Sequence, residues 1–412
     1  MQPWESELVE QVRALANGPI SGRARHVDLV GELSRENVRQ LVDLGLAGAG
    51  LPEEVGGREL SLEGYTRIAE ALSQGCGSTA VALNMHVLVA DSLTMGPRFP
   101  RADMVLVDIA SNGALICQPG SVPLGRLDTR SVGYRFVEDG DFVVGCGVSG
   151  FASMSDAATY VKIIGTVDRG QGSESSAEPD VVVALPRTDA PGLEICGNWD
   201  GMGLRGTASH DVRLTDLRMP RSEVAILSAA EFRAANAGET AGSATRMQAR
   251  FRGMFGSRGI WLGLCEAAFA FTLDYCSRRY GAMAITGDFA RAFGAGGDGL
   301  RSGQAWAQIG IGRMDHWIST GRVILYDAVH RFQADELAAG ESGILMNRVN
   351  YHLRRMCEEV VQTAMGVCGA HAYVKERPLE RIVRDIIGCN VMGQKTDELA
   401  QSLGRAATSF PS

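Results

Sequence analysis

The side chains that could ligate a metal are present but not grouped. The nine cysteines, at positions 76, 117, 146, 196, 265, 276, 357, 368 and 389, contain no C-x-x-C pair. The seven histidines form neither H-E-x-x-H nor a Cys/His cluster at zinc spacing. Reduced core thiols and no metal site are the expectation. No G-x-G-x-x-G follows a strand and opens a helix, which argues against a nicotinamide dinucleotide domain. The glycine-rich stretch AFGAGGDGLRSG (292–303) lacks the Gly-Lys-Ser/Thr ending of a P-loop and reads as a flexible connector. Any chemistry must therefore come from hydroxyl, amide and carboxyl groups that are distant in sequence and brought together by the fold.

Composition narrows the classes further. The 412 residues are 45% hydrophobic and 21% charged, the balance of an ordinary globular protein, and the length suits two or three domains. A formal charge of −8 excludes the clustered Lys and Arg of a nucleic-acid footprint. The N-terminus MQPWESELVE has two Glu within its first seven residues and no apolar core of signal-peptide length, and no uninterrupted apolar run reaches the roughly 18 residues of a membrane span. A cytoplasmic protein with no nucleic-acid and no membrane partner is expected.

The hydrophobic period changes twice along the chain. From 1 to about 110 it is helical: Ser34 can cap a helix carrying Val38, Leu41, Val42 and Leu44, and a second helix runs from Tyr65 to Leu72. From 111 to 225 short Val- and Ile-rich segments alternate with turn residues, at Phe142–Val148, Thr159–Ile164, Asp180–Leu185, Leu193–Cys196 and His210–Leu214. The polar stretch 168–180 between two of them reads as an exposed loop. From 226 to 412 helices return, most clearly in the stripe Leu353, Met356, Cys357, Val360, Val361, Ala364, Met365 and Cys368. Helices, then strands, then helices predict an α+β protein of three parts, 1–110, 111–225 and 226–412, rather than a βαβ sheet.

Four stretches carry a resemblance. NWDGMGLRGTASHDVRLTDLRMP (198–220) resembles the hallmark of the acyl-CoA dehydrogenase superfamily through Trp199, Gly203, Leu204, Arg205, Thr207, Ser209, Asp211, Val212 and Pro220. LVDLGLAGAGLPEEVGGRELSLEGYTRIAEAL (41–72), FVVGCGVSGFASMSDAATY (142–160) and PLERIVRDIIGCNVMGQKTDELAQSLGR (378–405) resemble further family segments in the family's order. The resemblance spans essentially the whole chain. It implies an α-helical N-terminal domain, a middle β-barrel-like domain and a C-terminal four-helix bundle, with FAD between the last two.

By the same resemblance Phe151 is the aromatic wall of the flavin and Ser153 a hydroxyl donor near N5 or O4. Thr396, in a stretch that continues to Glu398, is a second FAD contact. ICQPGSVPLG (116–125) stands for the segment under the flavin ring, with Ile116 leading Cys117 and Gln118, the last two where the family has Thr and Glu. Gln362 and Gly366 match a motif that reaches FAD across a subunit interface, which implies a homodimer or homotetramer.

The family's catalytic Glu removes a proton α to a thioester carbonyl. Its place falls on Gly393 or Gln394, depending on the flank used for counting, and neither accepts a proton at neutral pH. The alternative site on a bundle helix falls at Gly253. Glu376 and His371, then Glu266 and Asp274, remain as relocated bases.

Three functions follow: α,β-dehydrogenation of a small-molecule acyl thioester, on CoA or a carrier protein, coupled to electron-transfer flavoprotein; oxygenation by reduced flavin and O2 with a flavin reductase; or a non-catalytic FAD-binding subunit. The first is favoured because the sequence beyond the lost Glu keeps the dehydrogenase pattern. The lost Glu, and a F-A-S-x-x-D-x-A-x-Y stretch (151–160) like that of the monooxygenase branch, favour the second.

Overall fold

The computed structural model describes residues 1–95, 99–120, 133–168, 178–237, 244–278, 300–337 and 340–409. Most of the polar loop at 168–180 and of the glycine-rich connector lies outside them.

Six helices come first: α1 (Pro3–Leu15), α2 (Ser21–Val30), α3 (Arg35–Asp43), α4 (Leu62–Gly75), α5 (Gly77–Thr94) and α6 (Ala102–Asn112). Ser34 caps α3 as expected, its side chain accepting from the Asn37 amide at 3.2 Å. Helix α5 is buried on nearly all sides, which its sequence shows as an apolar run without a polar face.

Nine strands follow: β1 (Ile116–Cys117), β2 (Tyr134–Asp139), β3 (Phe142–Ala152), β4 (Tyr160–Val161), β5 (Ile163–Asp168), β6 (Val181–Ala184), β7 (Leu193–Ile195), β8 (His210–Pro220) and β9 (Val224–Leu227). Seven form one sheet in the order β7-β8-β3-β2-β5-β6-β9, while β1 and β4 pair separately in parallel. Among the described residues this sheet is open, so the β-barrel-like expectation is corrected to a twisted sheet with β7 and β9 at its edges. Strand β3 is the pivot. Its register against β8 slips between Gly145 and Gly147 and again between Ser149 and Ala152, and such bulges re-aim side chains. The second slip delivers Phe151 at φ +60°, so this ring leaves the sheet from a left-handed backbone and is 57% exposed.

Among the described residues helices follow: α7 (Ala229–Ala237), α8 (Ala244–Arg278), α9 (Ala305–Gln333), α10 (Glu341–Cys368), α11 (Pro378–Val391) and α12 (Thr396–Ser409). The stripe on α10 is core, with Leu353, Met356, Cys357, Val360, Ala364 and Cys368 fully buried. Helix α8 crosses α4 at close range because Gly259 and Gly263 carry no side chain there. A Cβ on them would stand 2.5 Å from the Thr66 carbonyl oxygen and 2.2 Å from that of Glu70. The buried pair Arg252–Asp91 (2.6 Å) links α8 to α5, and Arg252 also donates to the Leu60 carbonyl.

The three parts meet at one ionic joint. Arg384 on α11 grips Asp28 on α2 through two nitrogens (2.8 and 2.6 Å) and donates to the Met202 carbonyl (2.9 Å). Asp385 accepts the Leu204 amide at 2.7 Å, and Arg205 donates to the Asp28 carbonyl at 2.8 Å. Burial pushes the Asp385 carboxyl up to about 6. The Arg-Asp of the C-terminal motif and the Gly-Leu-Arg of the hallmark are thus the two halves of one interdomain clamp.

Candidate active site

Above this clamp lies a cavity of about 1370 Å³, bounded by the end of β3, the hallmark loop before β8, and helices α5, α8, α10 and α11. Ligand cavities usually span about 300–1,000 Å³, so this one has room for a large cofactor and a substrate together. Of the sequence-predicted residues, Gln118, Phe151, Ser153, Gly393 and Gln394 line it. The sequence assigned no role there to Trp199, Thr207, Ser209, Arg258, Trp261 and Arg354, which also line it.

The β-sheet side of the cavity is aromatic and hydroxylic. Phe151 meets Trp199 edge-on, with ring centroids 5.8 Å apart. Three hydroxyls form a relay. Thr207 Oγ1 donates to the Leu204 carbonyl (3.0 Å), Thr207 and Ser209 are 2.7 Å apart, and Ser209 and Ser153 are 2.8 Å apart. Each hydroxyl has one proton. All three bonds form together only if Ser209 donates to Thr207 and Ser153 donates to Ser209. Ser153 then turns lone pairs toward the cavity, reversing the donor sense expected from the sequence.

The helical side is cationic. Arg354, 2% exposed on α10, donates Nη1 to the Asn390 carbonyl (2.5 Å) and Nη2 to the Met392 carbonyl. Gly393 follows at φ +75°, and a Cβ built on it would lie 3.7 Å from Arg354 Nη2. Arg258 on α8 donates Nε to Asn350 Oδ1 (2.6 Å) and Nη1 to the Met254 carbonyl (2.9 Å). Both guanidinium groups lie over the Trp261 ring, 5.2 Å away for Arg258 and 5.3 Å for Arg354. Burial, then repulsion from Arg354, brings the Arg258 guanidinium down to about 10. Arg354 is lowered too, first by burial.

No relocated base enters the cavity among the described residues. Glu376 and His371 are exposed in the connection between α10 and α11, and His371 sits beside Tyr275 instead (5.9 Å). Glu266 is bound to Arg322 and to Gln74, and Asp274 pairs with Arg278 on the surface. Gly253 packs against Leu88. These four candidates are corrected for one reason: each carboxylate or imidazole has found solvent or a partner away from the cavity.

Other expected contacts lie outside the cavity of this chain, as the reading across a subunit interface requires for Gln362 and Gly366. Ile116 and Cys117 are buried inside β1, where burial pushes the Cys117 thiol up to about 12. Thr396 opens α12 and donates toward Glu358 (3.4 Å), while exposed Glu398 accepts the Lys395 amide (3.0 Å). Gln362 and Gly366 are exposed on α10, outside the cavity of this chain.

Residues 3–96 match the acyl-CoA dehydrogenase N-terminal domain and residues 255–391 the acyl-CoA dehydrogenase C-terminal domain. The chain belongs to the acyl-CoA dehydrogenase family. That places it in a class of flavin-dependent oxidoreductases. It is similar to a probable acyl-CoA dehydrogenase, YngJ of Bacillus subtilis (strain 168), at 24% identity over 92% of each chain. In fold it is similar to butyryl-CoA dehydrogenase from Megasphaera elsdenii (TM-score 0.79, 17% identity, 99% of each chain). It is equally similar to FMN-bound TdsC, a dibenzothiophene monooxygenase from Paenibacillus sp. A11-2 (TM-score 0.81, 16% identity, 98% of each chain). The fold alone does not separate the two chemistries.

The cavity fits the family's cofactor on its own terms: its size, an aromatic ring presented at its mouth, and a hydroxyl with lone pairs turned inward. Among the described residues no helix is long and apolar enough to cross a membrane.

Proposed function

We propose that this chain holds FAD in the cavity and oxygenates a small molecule with O2, using flavin reduced by a separate reductase. One observation carries the reading: the described residues lining the cavity include no Asp, Glu, His, Cys, Lys or Tyr. Removing an α-proton needs a group able to hold it within hydrogen-bond reach, and this lining offers hydroxyls, amides and arginines instead. Dehydrogenation, favoured by the sequence beyond the lost Glu, thus lacks its base. Bound reduced flavin supplies the two electrons that divide O2 between the product and water. With flavin bound, Ser153 would accept a hydrogen bond from the reduced ring and Phe151 and Trp199 would exclude water from it, while the Arg384 clamp fixes the loop that carries Thr207 and Ser209.

In anaerobic mixing, acyl-CoA thioesters are expected to leave the flavin colour unchanged, while reduced flavin with O2 and substrate gives an oxygenated product. Anaerobic bleaching by a thioester would defeat the proposal and restore the dehydrogenase; neither reaction with any substrate would leave the FAD-binding subunit.

We also propose an assembly of this chain: Gln362 and Gly366 are exposed, as is Tyr373 (80%) on the same helical part. A homodimer, or a tetramer of dimers, covers them; a fully FAD-loaded monomer in light scattering contradicts it.

A further inference from the structure

We infer that the helical side of the cavity is an oxyanion subsite, so that the substrate carries a carboxylate or a phosphate which Arg258 and Arg354 receive. The inference rests on the cavity being the substrate site, and not on which reaction runs there. Two guanidinium groups lie over one indole ring, although like charges repel and burial disfavours the charge on both. Neither makes an ion pair with a carboxylate among the described residues. Nearby Glu358 pairs with Arg355, and Glu398 caps the Lys395 amide. Every acceptor they do have is a carbonyl or an amide oxygen, which orients a cation without neutralising it.

Trp261 adds an unsatisfied donor to these two unpaired charges. It is 3% exposed, lines the same cavity, and its indole N–H has no acceptor. Buried donors are almost always satisfied, and buried charges are paired. A cluster holding three such exceptions, each a donor and none an acceptor, is complementary to a bound anion. The surrounding surface is apolar, with Phe251, Met254 and Met346, so the anionic group sits at the end of a hydrophobic body. Arg354 also caps the end of α11, so its removal has a structural cost; Arg258 has no such role.

The test is isothermal titration calorimetry on the FAD-loaded protein with four probes: benzoate, hexanoate, their neutral amides, and inorganic phosphate. Each acid is expected to bind roughly tenfold to a hundredfold more tightly than its amide, the range of a charge-assisted hydrogen bond. Arg258→Met should erase that preference while FAD stays bound, and Arg354→Lys should keep part of it. Phosphate competing with benzoate assigns the subsite to phosphate as well; phosphate failing to compete restricts it to carboxylates. Equal binding of acid and amide by the wild type overturns the inference, as does a preference untouched in Arg258→Met, or loss of FAD rather than of the acid. Anion binding without oxygenation would count against the proposed reaction and leave the subsite standing.

Discussion

Restoring a carboxylate at the family's position should fail to restore a base, and the reason is local. Position 393 has φ +75°, a conformation that costs a non-glycine residue about 1–2 kcal/mol. Its Cβ would be 3.7 Å from Arg354 Nη2, so a Glu side chain there reaches the guanidinium easily. At a separation of roughly 4 Å and an effective dielectric near 20, the attraction is about 4 kcal/mol, or about three pKa units downward for the new carboxyl. Gly393→Glu should therefore stay ionised and paired across the accessible pH range. In a urea denaturation series Gly393→Ala loses about 1–2 kcal/mol from strain alone, and Gly393→Glu is the more stable of the two because the new pair, although screened at this exposed position, opposes the strain. Neither variant should gain anaerobic flavin reduction by an acyl thioester. A positioned base is worth about 10²–10⁴-fold, so a gain of that size in Gly393→Glu refutes both the placement of Arg354 and the base-free reading.

Three other outcomes follow from single side chains. Ser153→Ala removes an acceptor for the reduced flavin and should lower its potential by about 10–30 mV, from a hydrogen bond of about 0.5–1.5 kcal/mol in a two-electron couple; an unchanged potential by dye-linked titration removes Ser153 from the flavin. Asp91→Ala leaves Arg252 buried without its carboxylate and should cost about 3–5 kcal/mol in denaturant unfolding; a loss below about 1 kcal/mol means that the pair is solvated. Lys162 is buried and donates to Ser92 (2.7 Å), and burial brings it down from 10.5 to about 8. The folded state therefore favours the neutral amine, so stability rises as pH goes from about 8 to about 10.5 and is lost again on the way down; Lys162→Met should flatten that window, and an identical pH profile for the two proteins is inconsistent with burial of the charge.

The three-part order was legible because each part has its own hydrophobic period; the interdomain clamp was not, because it joins two motifs far apart in sequence to Asp28, which no motif marks. Strands β1, β2 and β9, most of β5 and the second half of β8 were missed. In β2, RFVED mixes charge with apolar residues because only alternate side chains face the core, and only Tyr134 and Phe136 are buried. The barrel expectation came from the family resemblance, since closure depends on which edge strands meet, and no local pattern records that. In the site, Phe151 and Ser153 were found through a motif. Arg258 and Arg354 were not, because the spacing of Arg354 to Glu358 is that of a solvated i, i+4 pair. The structure gives Glu358 to Arg355 instead and turns Arg354 inward. Sequence spacing shows which charges could pair along one helix, but not which face another helix covers.

The lost carboxylate and the buried arginine are best understood as one change. The end of α11 leaves carbonyls at Asn390 and Met392 that need donors, as every helix C-terminus does, and a cation there also meets the negative end of the helix dipole. Arg354 satisfies both carbonyls. Once it does, any acid at 393 or nearby is drawn into an ion pair, its pKa falls, and it stops being a useful base. A glycine at 393 is then the side chain that interferes least, with the left-handed turn already requiring it. The same guanidinium that ends the helix thus sets the sign of the charge in the cavity, so a position that could hold a proton acceptor instead attracts an anion, and proton abstraction is the one family chemistry that this arrangement disfavours.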